Sequence, residues 1–159
     1  MTVRSAAVLL YRRRDGLEVW IAHMGGPFWA RKDEGAWSLP KGIVESGDLG
    51  DELSAARREF AEEIGTPAPD ADYVPLGEFR GSGKTIVVFA AESEFEPDAI
   101  VSNTFELEWP PRSGRRQEFP EVDDARWFAL DEARLKLTKA QRPILDALLA
   151  LLGEDAETR

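Results

Sequence analysis

The segment that most constrains this chain is residues 42–66, which predicts a loop leading into an acidic, amphipathic helix. Asp51 or Gly50 is placed to cap the start of the helix, and Gly65 is placed to end it. At about 100° per residue, one side of this helix is apolar and another carries three glutamates. The apolar side comprises Leu53, Ala56, Phe60 and Ile64, and the acidic side comprises Glu59, Glu62 and Glu63. One side is therefore expected to pack in the core, which leaves the other free for chemistry.

The three glutamates repel one another, because like charges at helical spacing cost a few tenths of a kcal/mol per pair. Arg58 lies four residues before Glu62 and can form one ion pair, which leaves most of the negative charge uncompensated. A bound divalent cation is the natural complement, and oxygen ligands favour Mg²⁺ or Mn²⁺. A solvated, charge-rich helix face is the alternative interpretation of the same pattern.

The residues around the glutamates resemble the Nudix box, G-x5-E-x7-R-E-U-x-E-E-x-G-U, in which U is an apolar residue. The second half of the box matches without a gap from Arg58 to Gly65, although Thr66 replaces the last apolar residue. The first half departs twice: Asp48 stands where the family has Glu, and nine residues rather than seven separate it from Arg58. In the family this carboxylate helps to hold the arginine, so the departures leave the orientation of Arg58 open.

The resemblance is to the Nudix hydrolase superfamily, including bacterial members related to diadenosine polyphosphate hydrolases, and it implies roles for individual residues. The catalytic residues would be Glu62, Arg58 and Glu59, with Arg58 orienting the cluster and either Glu62 or a late glutamate acting as general base. Lys41 would meet a phosphate of the substrate. The implied metal ligands are Gly42, through its backbone carbonyl, and Glu59, Glu62, Glu63 and Glu118, with Glu121 as the alternative to Glu118.

Two loops outside the box are candidates for substrate recognition. Residues 25–35 carry Phe28 and Trp29, whose rings either close an edge of the core or stack on a nucleobase or another flat ligand. A basic loop follows the alternating strand pattern of residues 104–109, and it either is simply solvated or binds a polyphosphate. Its cations are Arg112, Arg115 and Arg116.

Two other patterns suggest different chemistry, and both fail on their context. His23 is the only histidine and no G-x-S-x-G sequence accompanies it, so a structural or surface role is favoured over a Ser/His/Asp triad. Residues 81–85, GSGKT, resemble the end of a phosphate-binding P-loop, but the motif's first glycine falls one residue too early, at Gly77, and a β-rich run follows. A hairpin turn is the favoured interpretation there.

The remaining pattern predicts an α/β fold. Strands are expected on both sides of the acidic helix, and the resemblance implies a Nudix-type α/β/α sandwich with a mixed sheet between helices. The predicted strands are 5–12 and 17–23, joined as a hairpin at Asp15-Gly16, a short strand within 36–42, and 73–80, 84–92, 104–109 and 125–129. Helices are predicted at 131–135 and at about 138–152, with Pro143 near the start of the second.

Composition sets the outer limits of these interpretations. A chain of 159 residues, 43% of them hydrophobic, suffices for one core, so we expect a single domain at residues 1–153 and a frayed tail at 154–159. The chain has no cysteine and no apolar run of the roughly 18 residues that span a bilayer, which favours a cytoplasmic location without a membrane partner. The apolar stripe of the last helix fits core packing or a dimer interface, so a monomer or a homodimer is expected.

The formal net charge of −10 argues against a nucleic-acid polymer as partner, whereas a small phosphorylated nucleotide needs only a local basic patch or a metal ion. The leading hypothesis is a Mg²⁺-dependent pyrophosphohydrolase that cleaves a diphosphate linkage in a nucleoside diphosphate joined to another group, within the nucleoside or dinucleoside polyphosphate class. The second hypothesis is a Nudix-like regulatory module that binds a nucleotide or ADP-ribose without hydrolysing it. Asp48 and the longer spacer motivate the second hypothesis.

Overall fold

The computed structural model describes residues 3–48, 50–81 and 83–153, which form nine β-strands and three α-helices. The strands are β1 (Val3–Arg14), β2 (Gly16–Met24), β3 (Trp37–Ser38), β4 (Lys41–Ile43), β5 (Val74–Gly81), β6 (Lys84–Glu92), β7 (Thr104–Glu108), β8 (Arg116–Pro120) and β9 (Val122–Ala129). The helices are α1 (Glu52–Ile64), α2 (Leu130–Lys136) and α3 (Arg142–Leu152). The tail expected at residues 154–159 lies outside the described residues.

Seven strands form one mixed sheet in the order β3-β2-β1-β6-β5, with β4 beside β1 and β9 beside β2. The central strand, β1, runs parallel to β6 and antiparallel to β2 and β4. β7 and β8 form a separate two-stranded hairpin.

The sheet is buried on both faces because β1 alternates apolar residues between two hydrophobic clusters. Ala7 and Leu9 belong to the cluster that contains the buried residues of α2 and α3. Val8 and Leu10 belong to the cluster on the opposite face, with α1. This is the α/β/α sandwich with a mixed sheet that was expected. None of the described helices is long and apolar enough to cross a membrane.

Helix α1 has the predicted caps. Asp51 is the N-cap, and its Oδ1 accepts a hydrogen bond from the Ser54 N–H at 3.2 Å. Gly65 ends the helix in the left-handed region, with φ of 86°, and donates its N–H to the Ala61 carbonyl at 2.8 Å. The buried side of α1 is Ala55, Ala56, Phe60 and Ile64, so Ala55 takes a buried place that the sequence pattern had given to Leu53, which is half-buried.

Several boundaries differ from those expected, each for a local reason. The strand predicted within 36–42 is divided into β3 and β4 around Pro40, which has no N–H for a ladder hydrogen bond. A short 3₁₀ turn (Lys139–Gln141) precedes α3, which begins one residue before Pro143. Strand β8 was not predicted: the end of the basic loop and the residues after it pair with β7, from Glu108↔Arg116 to Thr104↔Pro120.

Candidate active site

The turn before α1 shows how the longer spacer is accommodated. Asp48 ends a 3₁₀ turn (Ser46–Asp48), and its Oδ1 accepts a hydrogen bond from Arg58 Nη1 at 2.6 Å. Its Oδ2 accepts the Glu45 N–H at 2.9 Å. The guanidinium of Arg58, and secondarily the Glu45 N–H, holds the pKa of Asp48 below its usual range. Asp48 therefore reaches Arg58 despite its shorter side chain and the two additional residues.

Arg58 links this turn to the first glutamate of the box. Its Nη2 donates to Glu59 Oε1 at 3.2 Å, while Nη1 is held by Asp48. Arg58 therefore joins the carboxylates of Asp48 and Glu59 through one guanidinium. Glu59 is half-buried, and its removal from water raises its pKa, an effect that Arg58 opposes and that the charge of Glu62 reinforces.

Glu59 packs directly against the backbone of Gly42, which β4 places beside the helix. A Cβ atom at position 42 would lie 1.9 Å from Glu59 Oε2, far inside van der Waals contact. Glycine is therefore required at position 42 because there is no space for a side chain. A larger residue would push the Glu59 carboxylate away from Gly42.

Glu63 faces a cavity of about 300 Å³ that Lys41, Trp29 and Glu121 also line. Its Oε1 accepts the Lys41 N–H at 3.1 Å. Removal from water raises the pKa of Glu63 to about 7; Lys41 opposes this rise, whereas the charges of Glu121 and Glu59 add to it. Burial and repulsion thus make the ionised form of Glu63 costly unless a cation is nearby. Glu62, by contrast, is exposed.

The late carboxylate that shares this cavity is Glu121, while Glu118 is exposed on β8 and pairs in register with Glu106. Backbone hydrogen bonds of 2.9 Å connect Glu121 to the box helix: Asn103 N–H donates to the Glu62 carbonyl, and Glu121 N–H donates to the Asn103 carbonyl. Strand β8 was not predicted, and this strand is what places Glu118 and Glu121 so differently. A sequence signal that could have favoured Glu121 is its position directly after Pro120, which the structure places at the corner between two strands.

A second cavity, of about 350 Å³, adjoins the first and shares the side chains of Met24, Trp29, Ser38 and Lys41 with it. Its walls include the apolar side chains of Phe79 and Ile86, and the cations Arg80 and Lys84 also line it. Trp29 and Lys41 therefore lie where the acidic cavity meets a more apolar one.

Gln141 lines the second cavity with a fixed amide. Its Oε1 accepts the Leu39 N–H at 2.9 Å and its Nε2 donates to Ser38 Oγ at 2.8 Å, which sets the amide orientation. The side chain is only 6% exposed. Among the described residues the second hydrogen of Nε2 has no acceptor, so it remains a buried donor beside the cavity.

The three arginines predicted to bind phosphate lie at the exposed tip of the β7–β8 hairpin, and the described lining of the two cavities includes none of them. Arg116 Nε donates to Glu106 Oε1 at 2.9 Å, and Arg112 has a positive φ of 63°. An edge-to-face contact between Trp109 and Phe28, with ring centroids 5.3 Å apart, joins the tip to residues 25–35. The structure therefore places Arg112, Arg115 and Arg116 on a hairpin that contacts residues 25–35 through Trp109, and it places Lys41 where the two cavities meet.

Across the ranges that the structure describes, no three His, Asp or Glu side chains already converge closely enough to hold a metal ion. Glu59 and Glu63 are instead engaged by Arg58 and by the Lys41 N–H. The acidic side chains nevertheless supply oxygen donors only, the ligand type that hard divalent cations prefer.

Comparison with known proteins matches these features to one family. The family model for the NUDIX domain matches residues 1–148. The chain therefore belongs to the Nudix family, a membership that supports a pyrophosphohydrolase activity in general. A comparison with curated protein sequences gave no match.

Solved structures of similar fold include several Nudix proteins. The C. elegans Ap4A hydrolase in a binary complex has a TM-score of 0.64 and 21% identity, over 96% of this chain and 98% of that one. The NUDIX domain of Shewanella oneidensis NrtR complexed with ADP ribose has a TM-score of 0.61 and 17% identity, over 96% and 89%. A Nudix hydrolase from M. smegmatis, RenU, has a TM-score of 0.59 and 24% identity, over 94% and 87%. At these identities the likeness concerns the fold.

Proposed function

We propose that this protein is a divalent-metal-dependent hydrolase that cleaves a diphosphate linkage in a nucleoside diphosphate joined to another group. The observation that carries this proposal is the junction of two cavities at Trp29 and Lys41. One cavity contains the acidic residues Glu63 and Glu121, and the other has apolar walls and a fixed amide. A substrate with a charged phosphate part and a flat, less polar part matches this division.

The acidic cavity has the chemistry of a site for Mg²⁺ or Mn²⁺. Carboxylate oxygens of Glu63 and Glu121 line it, and Glu59 lies on the same helix as Glu63. The raised pKa values of Glu59 and Glu63 reflect partly buried negative charge that a cation would stabilise. When bound, such an ion lowers the pKa of a water molecule and neutralises phosphate oxygens. The proposed ligands are the Gly42 carbonyl, Glu59, Glu62, Glu63 and Glu121, with Glu121 in the place first given to Glu118.

The chain's own residues then have distinct roles. Glu62 is the exposed acid of the cluster, so it is the carboxylate best placed to accept the proton of an attacking water. Arg58 positions Glu59 through the bond described above, and Lys41 offers a cation where the two cavities meet. These assignments combine the geometry with the roles implied by the box.

The second cavity suits a nucleoside. Trp29 and Phe79 line it with aromatic surface, on which a base can stack. The unused donor of Gln141 matches a ring nitrogen or a carbonyl oxygen of a nucleobase, and its oriented amide oxygen can accept a further hydrogen bond. The two similar structures named for Ap4A and ADP ribose accord with this class of substrate.

The test is incubation with Mg²⁺ and a panel of nucleoside triphosphates, dinucleoside polyphosphates, ADP-ribose and nucleotide sugars, with products separated by chromatography. We expect cleavage of a diphosphate linkage in at least one member and loss of that cleavage in EDTA. Glu62→Gln should lower kcat by at least about 100-fold while the circular dichroism spectrum is unchanged. Wild-type rates in this variant would remove Glu62 from the chemistry.

The same panel separates the enzyme from the non-hydrolytic module. Titration calorimetry with each compound reports binding independently of turnover. Tight binding of ADP-ribose or a nucleotide, without cleavage at any metal concentration, would favour the module and contradict the proposed function.

A further inference from the structure

His23 lies outside the two cavities, and both of its ring nitrogens meet oxygen atoms. The side chain is on β2 and only 8% of the residue is exposed. Nδ1 lies 2.6 Å from Asp123 Oδ1, and Nε2 lies 2.7 Å from the carbonyl oxygen of Lys32. The Trp37 ring covers it edge-on, with centroids 5.1 Å apart.

These two contacts require two hydrogens. A carbonyl oxygen cannot donate, and an aspartate carboxyl is ordinarily ionised at neutral pH. A neutral imidazole carries one N–H and could satisfy only one of the two oxygens, whereas the imidazolium donates to both. The geometry therefore selects the charged ring.

The two other acidic side chains near His23, Asp124 and Asp33, are each paired with a different cation, whereas Asp123 contacts His23. From β9, Asp124 is paired with Arg126 at 2.8 Å. From the loop, Asp33 is paired with Lys136 of α2 at 2.6 Å. Lys136, then the Trp37 indole, and more weakly the charge of His23 hold the pKa of Asp33 below its usual range. Among the described residues that line the same cavity as His23, the one further cation is Lys32 itself, whose side chain is exposed.

We call the contacts of His23 with Asp123 and with the Lys32 carbonyl the His23 clamp, and the two adjoining cavities the substrate cleft. Lys32 connects the clamp to the cleft. Its N–H donates to the Trp29 carbonyl at 3.0 Å, and its ammonium nitrogen lies 5.3 Å from the centroid of the Trp29 ring. Trp29 lines both cavities. On the other side of the clamp, Asp123 belongs to the strand that begins directly after Glu121.

We propose that His23 is a positioning residue: held as an imidazolium between Asp123 and the Lys32 carbonyl, it ties residues 25–35 to β9 and thereby sets Trp29 in the substrate cleft. Its effect on catalysis rests on the proposed function, whereas the clamp itself does not.

The protonation of the His23 ring can be measured directly, because the chain contains a single histidine. Nitrogen-15 NMR of the wild type at neutral pH should show both ring nitrogens protonated. In Asp123→Asn the amide can donate as well as accept, so a neutral ring satisfies its partners and one nitrogen should lose its proton. Asp124→Asn, the matched control on the next residue, should leave both protonated. A neutral ring in the wild type would overturn the clamp.

The link to Trp29 needs two further measurements. The indole N–H signal of Trp29, assigned with Trp29→Phe, should shift in His23→Gln and Asp123→Asn and stay in place in Asp124→Asn. On the substrate found in the panel, His23→Gln should raise KM about fivefold with kcat within about twofold of wild type.

The division of the effect between KM and kcat, read together with the NMR signals, distinguishes positioning from a merely structural role. Unchanged Trp29 signals in both clamp variants, or a KM for His23→Gln equal to that of Asp124→Asn, would overturn the proposal. If no compound is cleaved, the two NMR measurements still decide whether the clamp exists.

Discussion

At the scale of single residues, the site depends on short contacts that a sequence motif records only indirectly. The motif places Asp48 two residues too far from Arg58, yet the 3₁₀ turn returns its carboxylate to 2.6 Å from the guanidinium. Spacing along a chain measures separation through space only where the backbone conformation is known. The helix glutamates were predictable because the period of an α-helix is fixed, whereas the return of the loop was not.

The two late carboxylates offer a matched comparison. Glu121→Gln should lower kcat by at least about tenfold at saturating Mg²⁺, because it removes charge from the cavity that Glu63 lines. Glu118→Gln, the same chemical change three residues earlier on exposed β8, should leave kcat within about twofold of wild type. Steady-state kinetics on one substrate measures both. The reverse ranking would restore Glu118 as the late acid.

Gly42 can be tested by adding one methyl group. Gly42→Ala places Cβ against the Glu59 carboxylate, which is the end of a flexible side chain and can move aside. We therefore expect a fall in kcat of about tenfold or more with little change in melting temperature. Gly47→Ala is the control, since its Cβ would meet no atom within 4 Å. Equal activities of the two variants would show that Glu59 does not need its place beside Gly42.

At the scale of elements, the regular parts of the fold were predictable and the irregular parts were not. The hairpin at Asp15-Gly16 and helix α1 each have a local signal in the sequence, and both form. Strand β8 has little such signal: its sequence, RQEFP, becomes a strand because β7 offers it a partner. The division between β8 and β9 also decides which late glutamate lines the cavity. Because β8 was not predicted, the choice between Glu118 and Glu121 could not be predicted either.

The β7–β8 hairpin makes one prediction at this scale. Changing Arg112, Arg115 and Arg116 together to Ala removes the positive charge of its tip, which Phe28 and Trp109 connect to residues 25–35. If the tip binds the outer phosphates of a long substrate, KM for a dinucleoside polyphosphate should rise about tenfold and KM for ADP-ribose by less than about twofold. Raising the salt concentration should reduce the difference. An equal change for both substrates would exclude this role.

At the scale of the whole molecule, the central sheet separates two tasks. The α1 face carries the acidic residues of the box, and the α3 face contributes to the second cavity through the 3₁₀ turn before it, where Gln141 lies. The short strands β3 and β4 belong to this sheet, and Ser38 and Lys41 on them line both cavities. The sequence pattern of each helix can indicate which residues cover one face of the sheet. The junction of the two cavities depends on the path of residues 37–43, which no local pattern specifies.

The whole molecule should also report metal binding through its stability. A cation that binds only the folded chain raises the free energy of unfolding by about 2.7 kcal/mol at 100 times its dissociation constant. For a chain of this size that corresponds to a rise in melting temperature of roughly 5–10 °C. Wild-type protein should show such a rise when Mg²⁺ replaces EDTA at about pH 8, measured by differential scanning calorimetry.

Glu63→Gln should stabilise the protein without metal, because Glu63 is repelled by Glu59 and Glu121 and is partly removed from water. The amide oxygen of Gln can still accept the Lys41 N–H, so the variant loses the charge and keeps the hydrogen bond. In EDTA its melting temperature should exceed that of wild type by about 3 °C, and Mg²⁺ should add little. Glu132→Gln, at an exposed position of α2, is the control and should respond to Mg²⁺ as wild type does. A Mg²⁺ response in Glu63→Gln as large as in the control would place the ion elsewhere, since a site that includes Glu63 cannot bind equally well without its charge.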